Sequence, residues 1–170
     1  MHVVFLELLI DPICAMVFEA EPSDAEAMRR PPRRKSEALF GPVQIGLALL
    51  QGGGVLVGVL TVYLWSLGHY LETEARGAAF LTLVLGNLVL ALADASSAGG
   101  RLFASHRRIY WTIAAAACGA LALLLEAPPI AALFQVAPPR AELLLVSLTV
   151  AGVAGGWYGL ARSLGGRLRR

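Results

Sequence analysis

From Val43 to Leu67 the chain reads VQIGLALLQGGGVLVGVLTVYLWSL, without one charged side chain. A helix needs about 20 apolar residues to cross a hydrocarbon core of about 30 Å, so a stretch of this length is read as a transmembrane helix. Gly77–Ala93, Ile109–Leu125 and Leu143–Ala161 are shorter but equally free of charge, and an opening run, Val3–Phe18, is apolar apart from Glu7 and Asp11. Composition points the same way, with 57% hydrophobic and only 15% charged residues and a mean hydropathy of +0.67. The expected fold class is all-α: a polytopic membrane helical bundle of about five transmembrane helices. It forms one membrane domain over residues 1–170, with spans near 3–18, 43–67, 77–93, 109–125 and 143–161 and a cytoplasmic loop at 19–42.

The basic residues orient these spans. Arg29, Arg30, Arg33, Arg34 and Lys35 follow the first span, Arg101, Arg107 and Arg108 follow the third, and Arg162, Arg167, Arg169 and Arg170 follow the fifth. Of 14 Lys and Arg residues only Arg76 and Arg140 fall in the other loops. Cytoplasmic loops carry the excess of Lys and Arg, so the N-terminus is expected outside and the C-terminus in the cytoplasm. An integral protein of the cell membrane is the expected localisation. The opening run has no basic residue ahead of it and is interrupted by two acids, so it is expected to remain in the mature chain.

Smaller features fit a packed bundle in lipid. Tyr63, Trp65, Tyr70, Tyr110, Trp111, Trp157 and Tyr158 cluster towards span ends and are read as interfacial anchors. Gly54 with Gly58, and Gly152 with Gly156, have the small-xxx-small spacing that lets helices approach closely. Cys14 and Cys118, each alone in an apolar segment, are read as packing residues. The Pro-Pro pairs in EAPPIAALFQVAPPRAE mark a loop, since proline cannot continue a helix. Ser23 and Glu26 form a capping box, predicting a short cytoplasmic helix from Asp24 that stops at Pro31 and Pro32.

The first span carries the chemistry. Glu7 and Asp11 stand four residues apart, so on a helix their carboxylates share a face and repel. A carboxylate at mid-membrane costs about 2.5–3.5 kcal/mol, so such a pair implies a compensating partner. Pro12 lacks an N–H, clashes with the Leu8 carbonyl and pushes Asp11 off helical angles. The exposed carbonyl oxygens and two carboxylates make a hard, anionic ligand set suited to Ca²⁺, Mg²⁺, Na⁺ or a proton. The simpler reading is that Asp11-Pro12 ends a short helix with Glu7 near the interface. Asn87, in the middle of the third span, is a further candidate ligand or else a helix–helix hydrogen-bonding residue.

Several functions are not encoded in these residues. There is no GxxxxGK[ST], no GxGxxG after a strand, no Ser-His-Asp or HExxH arrangement, and no basic arm with interleaved aromatics for nucleic acid. No catalytic residue and no bound cofactor is expected.

FLELLIDP followed by FEAEPSDAEAMRRPPR, with four further spans behind, resembles the C-terminal end of P-type cation-transporting ATPases of the calcium-pump-like class. The resemblance implies the sixth to tenth membrane helices, with an unwound ion-binding stretch in the sixth and a cytoplasmic exit ending in the Met28–Arg33 motif. Asp11 matches that family's aspartate ligand. Glu7 stands where calcium pumps commonly have Asn, Ile10 where they have Thr, Pro12 where they have Gly, and Asn87 near an eighth-helix Glu. The ion is left open. The phosphorylated aspartate motif, the nucleotide-binding domain and helices one to five are not among these residues, so the implied partner is the catalytic and N-terminal membrane portion of a pump. A split subunit, a truncated product and a stand-alone bundle all fit. The alternative expectation is a non-catalytic structural or regulatory bundle that moves no ion.

Overall fold

A computed structural model describes Glu7 and residues 41–97 and 108–167. Asp11, Pro12 and Cys14, the expected capping box at Ser23 and Glu26, and the basic run from Arg29 to Lys35 lie outside the described residues. Among the described residues from 41 onward the regular elements are all helices: α1 (Pro42–Leu67), α2 (Glu72–Ser97), α3 (Arg108–Glu126), α4 (Pro128–Phe134) and α5 (Ala141–Arg167). The protein is a helical membrane bundle. By length and composition α1 and α2 from Glu72 to Ala93 can each cross a membrane, and α3 with α4 forms a third candidate. α5 contributes a shorter apolar stretch, Ala141–Trp157.

Local chemistry sets the helix ends. Pro42 starts α1 with a φ already suited to a helix, and the Gly41 N–H donates to the Gln44 side chain at 2.5 Å, which satisfies a donor at the free end. At the other end Gly68 N–H returns to Trp65 O at 3.3 Å, and the His69 ring, stacked on Trp65 at 5.2 Å, places Nδ1 2.9 Å from the same carbonyl. Inside the helices, hydroxyls bond their own backbone: Thr82 Oγ1 donates to Ala78 O at 2.7 Å and Ser147 Oγ to Leu143 O at 2.9 Å. Both side chains are buried, and this is how a polar group is satisfied where no water reaches.

α2 is the centre of the bundle. It packs on α5 and on α1, which also touch each other, while α3 leans on α2 and α4 on α3. α1 offers one narrow stripe inward, with Gln51, Val55, Gly58, Val62 and Ser66 buried at three- and four-residue steps. Val62 joins Ala78 of α2 and Leu143 of α5 in a small core, and Phe80, Leu81, Val84 and Leu88 of α2 meet Ala117, Leu121 and Leu124 of α3 in a larger one.

Glycine allows the closest approaches. A Cβ at Gly155 would stand 2.5 Å from Gly86 O, 2.9 Å from Val89 Cβ and 3.1 Å from Leu90 N, so the α5 backbone lies directly on α2. Gly58 brings α1 onto Ala154 and Val150, as its spacing with Gly54 suggests. The second expected pair needs correcting: nothing lies within 4 Å of a Cβ at Gly152, and one at Gly156 would make only ordinary contact with Val89. The rotation of α5 turns Gly155 towards α2, and spacing alone could not choose among neighbouring glycines.

Three further expectations change. The Pro-Pro pair at 128–129 ends α3 but also starts α4, because proline suits the first turn, where its missing N–H leaves no hydrogen bond unmade. The two helices meet at 88°, and α4 ends at Gln135, whose φ of 51° is left-handed. Cys118 is exposed rather than packed, since in a membrane bundle the outer surface is as apolar as the core. Tyr110 also differs from an anchor: it is buried, and its hydroxyl donates to Leu88 O at 2.7 Å, tying α3 to α2.

Candidate functional site

Of the residues expected to form an ion site, Glu7 is helical and exposed, and Asp11 and Pro12 lie outside the described residues. Asn87 sits half-buried on α2, next to the Gly86 contact, and its Nδ2 donates to Leu83 O at 3.0 Å, one turn back on its own helix. That bond uses one amide donor and leaves the carbonyl oxygen, the atom a cation would require, uncommitted to it. Among the described residues no three His, Cys, Asp or Glu side chains come together as a metal cluster.

Asn87 belongs to a stripe. Arg76, Phe80, Leu83 and Asn87 follow one another at steps of three and four residues and so share one face of α2. The part of this face nearest the α1–α2 turn borders an open groove of about 560 Å³ between α1 and α2. Its walls are Val59 and Leu60 of α1 and Ala79, Phe80 and Leu83 of α2; Tyr63, Arg76 and Gln135 add polar groups. Arg76 donates to Gln135 Oε1 at 2.8 Å and pairs with the exposed Glu72 at 2.5 Å.

The same end of the bundle holds a second polar group. Arg140, just before α5, pairs with Glu74 of α2 at 3.5 Å, and the Tyr70 hydroxyl donates to Glu142 Oε2 at 3.3 Å. Partial withdrawal from water, then the Glu142 carboxylate, hold the Tyr70 phenol above the usual tyrosine value. Glu74 is buried, and its Oε2 has no hydrogen-bond partner. Ala137 N–H donates to Thr73 O at 3.0 Å, and Gly77 takes the Ala137 carbonyl against its bare Cα. These contacts clamp the start of α2 to the start of α5. From the sequence Glu72, Glu74, Arg76 and Arg140 fall in loops outside the spans; the pairs Arg76–Gln135 and Glu74–Arg140, some 60 residues apart, leave no local signal, whereas Glu72 and Arg76 stand at the four-residue helical spacing that could have shown theirs.

The fold and composition thus define an integral membrane helical bundle with polar groups gathered at one end. Residues 1–164 match the family described as cation transporting ATPase, C-terminus. The chain belongs to that family, the C-terminal membrane region of P-type ATPases, which are enzymes that transport cations. No individual curated protein matches it.

Proposed function

We propose that this chain is the C-terminal membrane part of a cation pump and supplies Glu7 and Asp11, with Asn87 as a weaker third, to an intramembrane cation site. The family match over residues 1–164 supports this reading, because the matched residues include Glu7 and Asp11 of the first expected span. Two carboxylates four residues apart beside Pro12 supply oxygen ligands and free carbonyls, a set open to Ca²⁺, Mg²⁺, Na⁺ or a proton. ATP hydrolysis belongs to a phosphorylating portion carried elsewhere, since Asp-Lys-Thr-Gly-Thr is not among these residues. That portion is the partner, and the segment from Ser23 to Arg33 is where its movements reach the ion site. The five-span order of 3–18, 43–67, 77–93, 109–125 and 143–161 puts the N-terminus outside and the C-terminus in the cytoplasm of the cell membrane.

Coexpression with a catalytic portion tests the reading. Cation-stimulated ATPase activity should fall at least tenfold when Glu7 and Asp11 are replaced by Ala, as about 1.4 kcal/mol of lost binding would give. Unchanged activity removes the pair from the ion path. The second reading, a structural bundle that moves no ion, is favoured by one observation: the Asn87 amide nitrogen bonds Leu83 O of its own helix, a local role that needs no ion. Under that reading Asp11→Asn alters assembly and leaves cation dependence as it was.

A further inference from the structure

The groove between α1 and α2 pairs an apolar trough with two opposite charges at one end. Its volume of about 560 Å³ falls in the range of ligand sites, about 300–1,000 Å³. In a bilayer such a trough holds hydrocarbon, and the charges beside it decide which headgroup sits above. Arg76 faces the trough, and its guanidinium has five N–H donors, enough to keep Gln135 and still meet a phosphate. Glu72, one turn nearer the helix start and 61% exposed, is an acceptor with no apolar cover. Exposed ion pairs contribute only about 0–1 kcal/mol, so a ligand that satisfies both partners displaces this one readily.

We propose that the groove binds one zwitterionic phospholipid bearing a primary ammonium, with an acyl chain along Leu60, Ala79 and Leu83, the phosphate on Arg76 and the ammonium on Glu72. Charge complementarity selects it. An anionic headgroup satisfies Arg76 but meets Glu72 with like charge, and a choline headgroup has no N–H to donate to the carboxylate. The occupant lies in the leaflet that contains the α1–α2 turn, and the inference does not depend on which ion the chain handles.

The purified chain, titrated with phosphatidylethanolamine, phosphatidylcholine or phosphatidylglycerol of matched acyl chains, gives bound lipid by native mass spectrometry. Phosphatidylethanolamine should be retained about fivefold more strongly than either other lipid, the effect of a single charge contact at a membrane surface. Glu72→Gln should abolish the preference, Arg76→Gln should weaken retention of all three lipids through loss of the shared phosphate contact, and Ala79→Trp, which fills the trough, should likewise reduce retention of all three. Ala79→Leu is the milder variant should the tryptophan lower helicity in circular dichroism. A preference for phosphatidylglycerol, a preference that survives Glu72→Gln, retention unchanged by Arg76→Gln, or retention unchanged by filling the trough overturns the proposal. So does a cross-link from Leu60→Cys to another helix in place of bound lipid, which assigns the groove to a protein segment.

Discussion

α1 and α2 are both 26 residues long and both apolar enough to cross a membrane, yet their places in the bundle are opposite. Within their most apolar windows 17% of α1 is buried, against 50% of α2. The more hydrophobic helix is therefore the peripheral one. In water apolar surface is driven inward, but lipid removes that drive, and packing and polar contacts decide which face is covered. α2 carries Gly77 and Gly86, the buried hydroxyl of Thr82 and the buried Glu74, all against neighbours. α1 leaves Leu49 at 71% and Val57 at 64% exposed.

The largest test of this contrast sets Gly155 against Gly53. Gly155→Leu would drive a side chain into the Gly86 carbonyl and the Leu90 amide, which are backbone and cannot turn aside. Overpacking costs about 1–3 kcal/mol where neighbouring side chains can yield and more where, as here, the obstacle is backbone, so loss of a cooperative thermal transition is expected. Gly53→Leu on α1 meets nothing within 4 Å and should leave the transition in place. Equal effects would show that α1 is as closely covered as α5. A smaller difference separates Leu124→Ala from Leu56→Ala. Leu124 is 1% exposed, and its truncation should lower stability by about 2–5 kcal/mol in chemical denaturation, whereas Leu56, 57% exposed, should change it by less than about 0.5 kcal/mol.

The smallest effect belongs to the clamp between α2 and α5. Tyr70→Phe removes the bond to Glu142 and should lower the melting temperature slightly. The phenol is raised above its unfolded value, so its contribution is fully present below the ordinary tyrosine pKa of about 10 and is lost as pH rises through the higher folded value. Wild type and variant should therefore differ by a constant amount from pH 6 to 9 and converge as the pH rises beyond about 10. A difference that vanishes near pH 7 would assign the effect to another group.

Hydropathy alone placed α1, α2, α3 and most of α5, because an uncharged run of that length has few other structures open to it. The facing of each helix was less legible. Gly152, Gly155, Gly156 and Gly159 all lie on α5, and only the surrounding fold decides which of them meets α2. Tyr110 looked like an anchor for the same reason: a position near a helix end does not say whether the ring turns to lipid or to Leu88. Within the candidate site, Asn87 was legible as the mid-span amide, and its face shared with Arg76 follows from helical spacing, but its bond to Leu83 depends on the rotamer that the fold selects.

The contact between Gly86 and Gly155 also has a mechanical meaning. Main chain rests there on main chain, so there are no rotamers to exchange and no adjacent seating into which one helix could slip. α2 and α5 therefore behave as a single beam. A tilt given to one is carried by the other, and Asn87, one residue from the weld, moves with both.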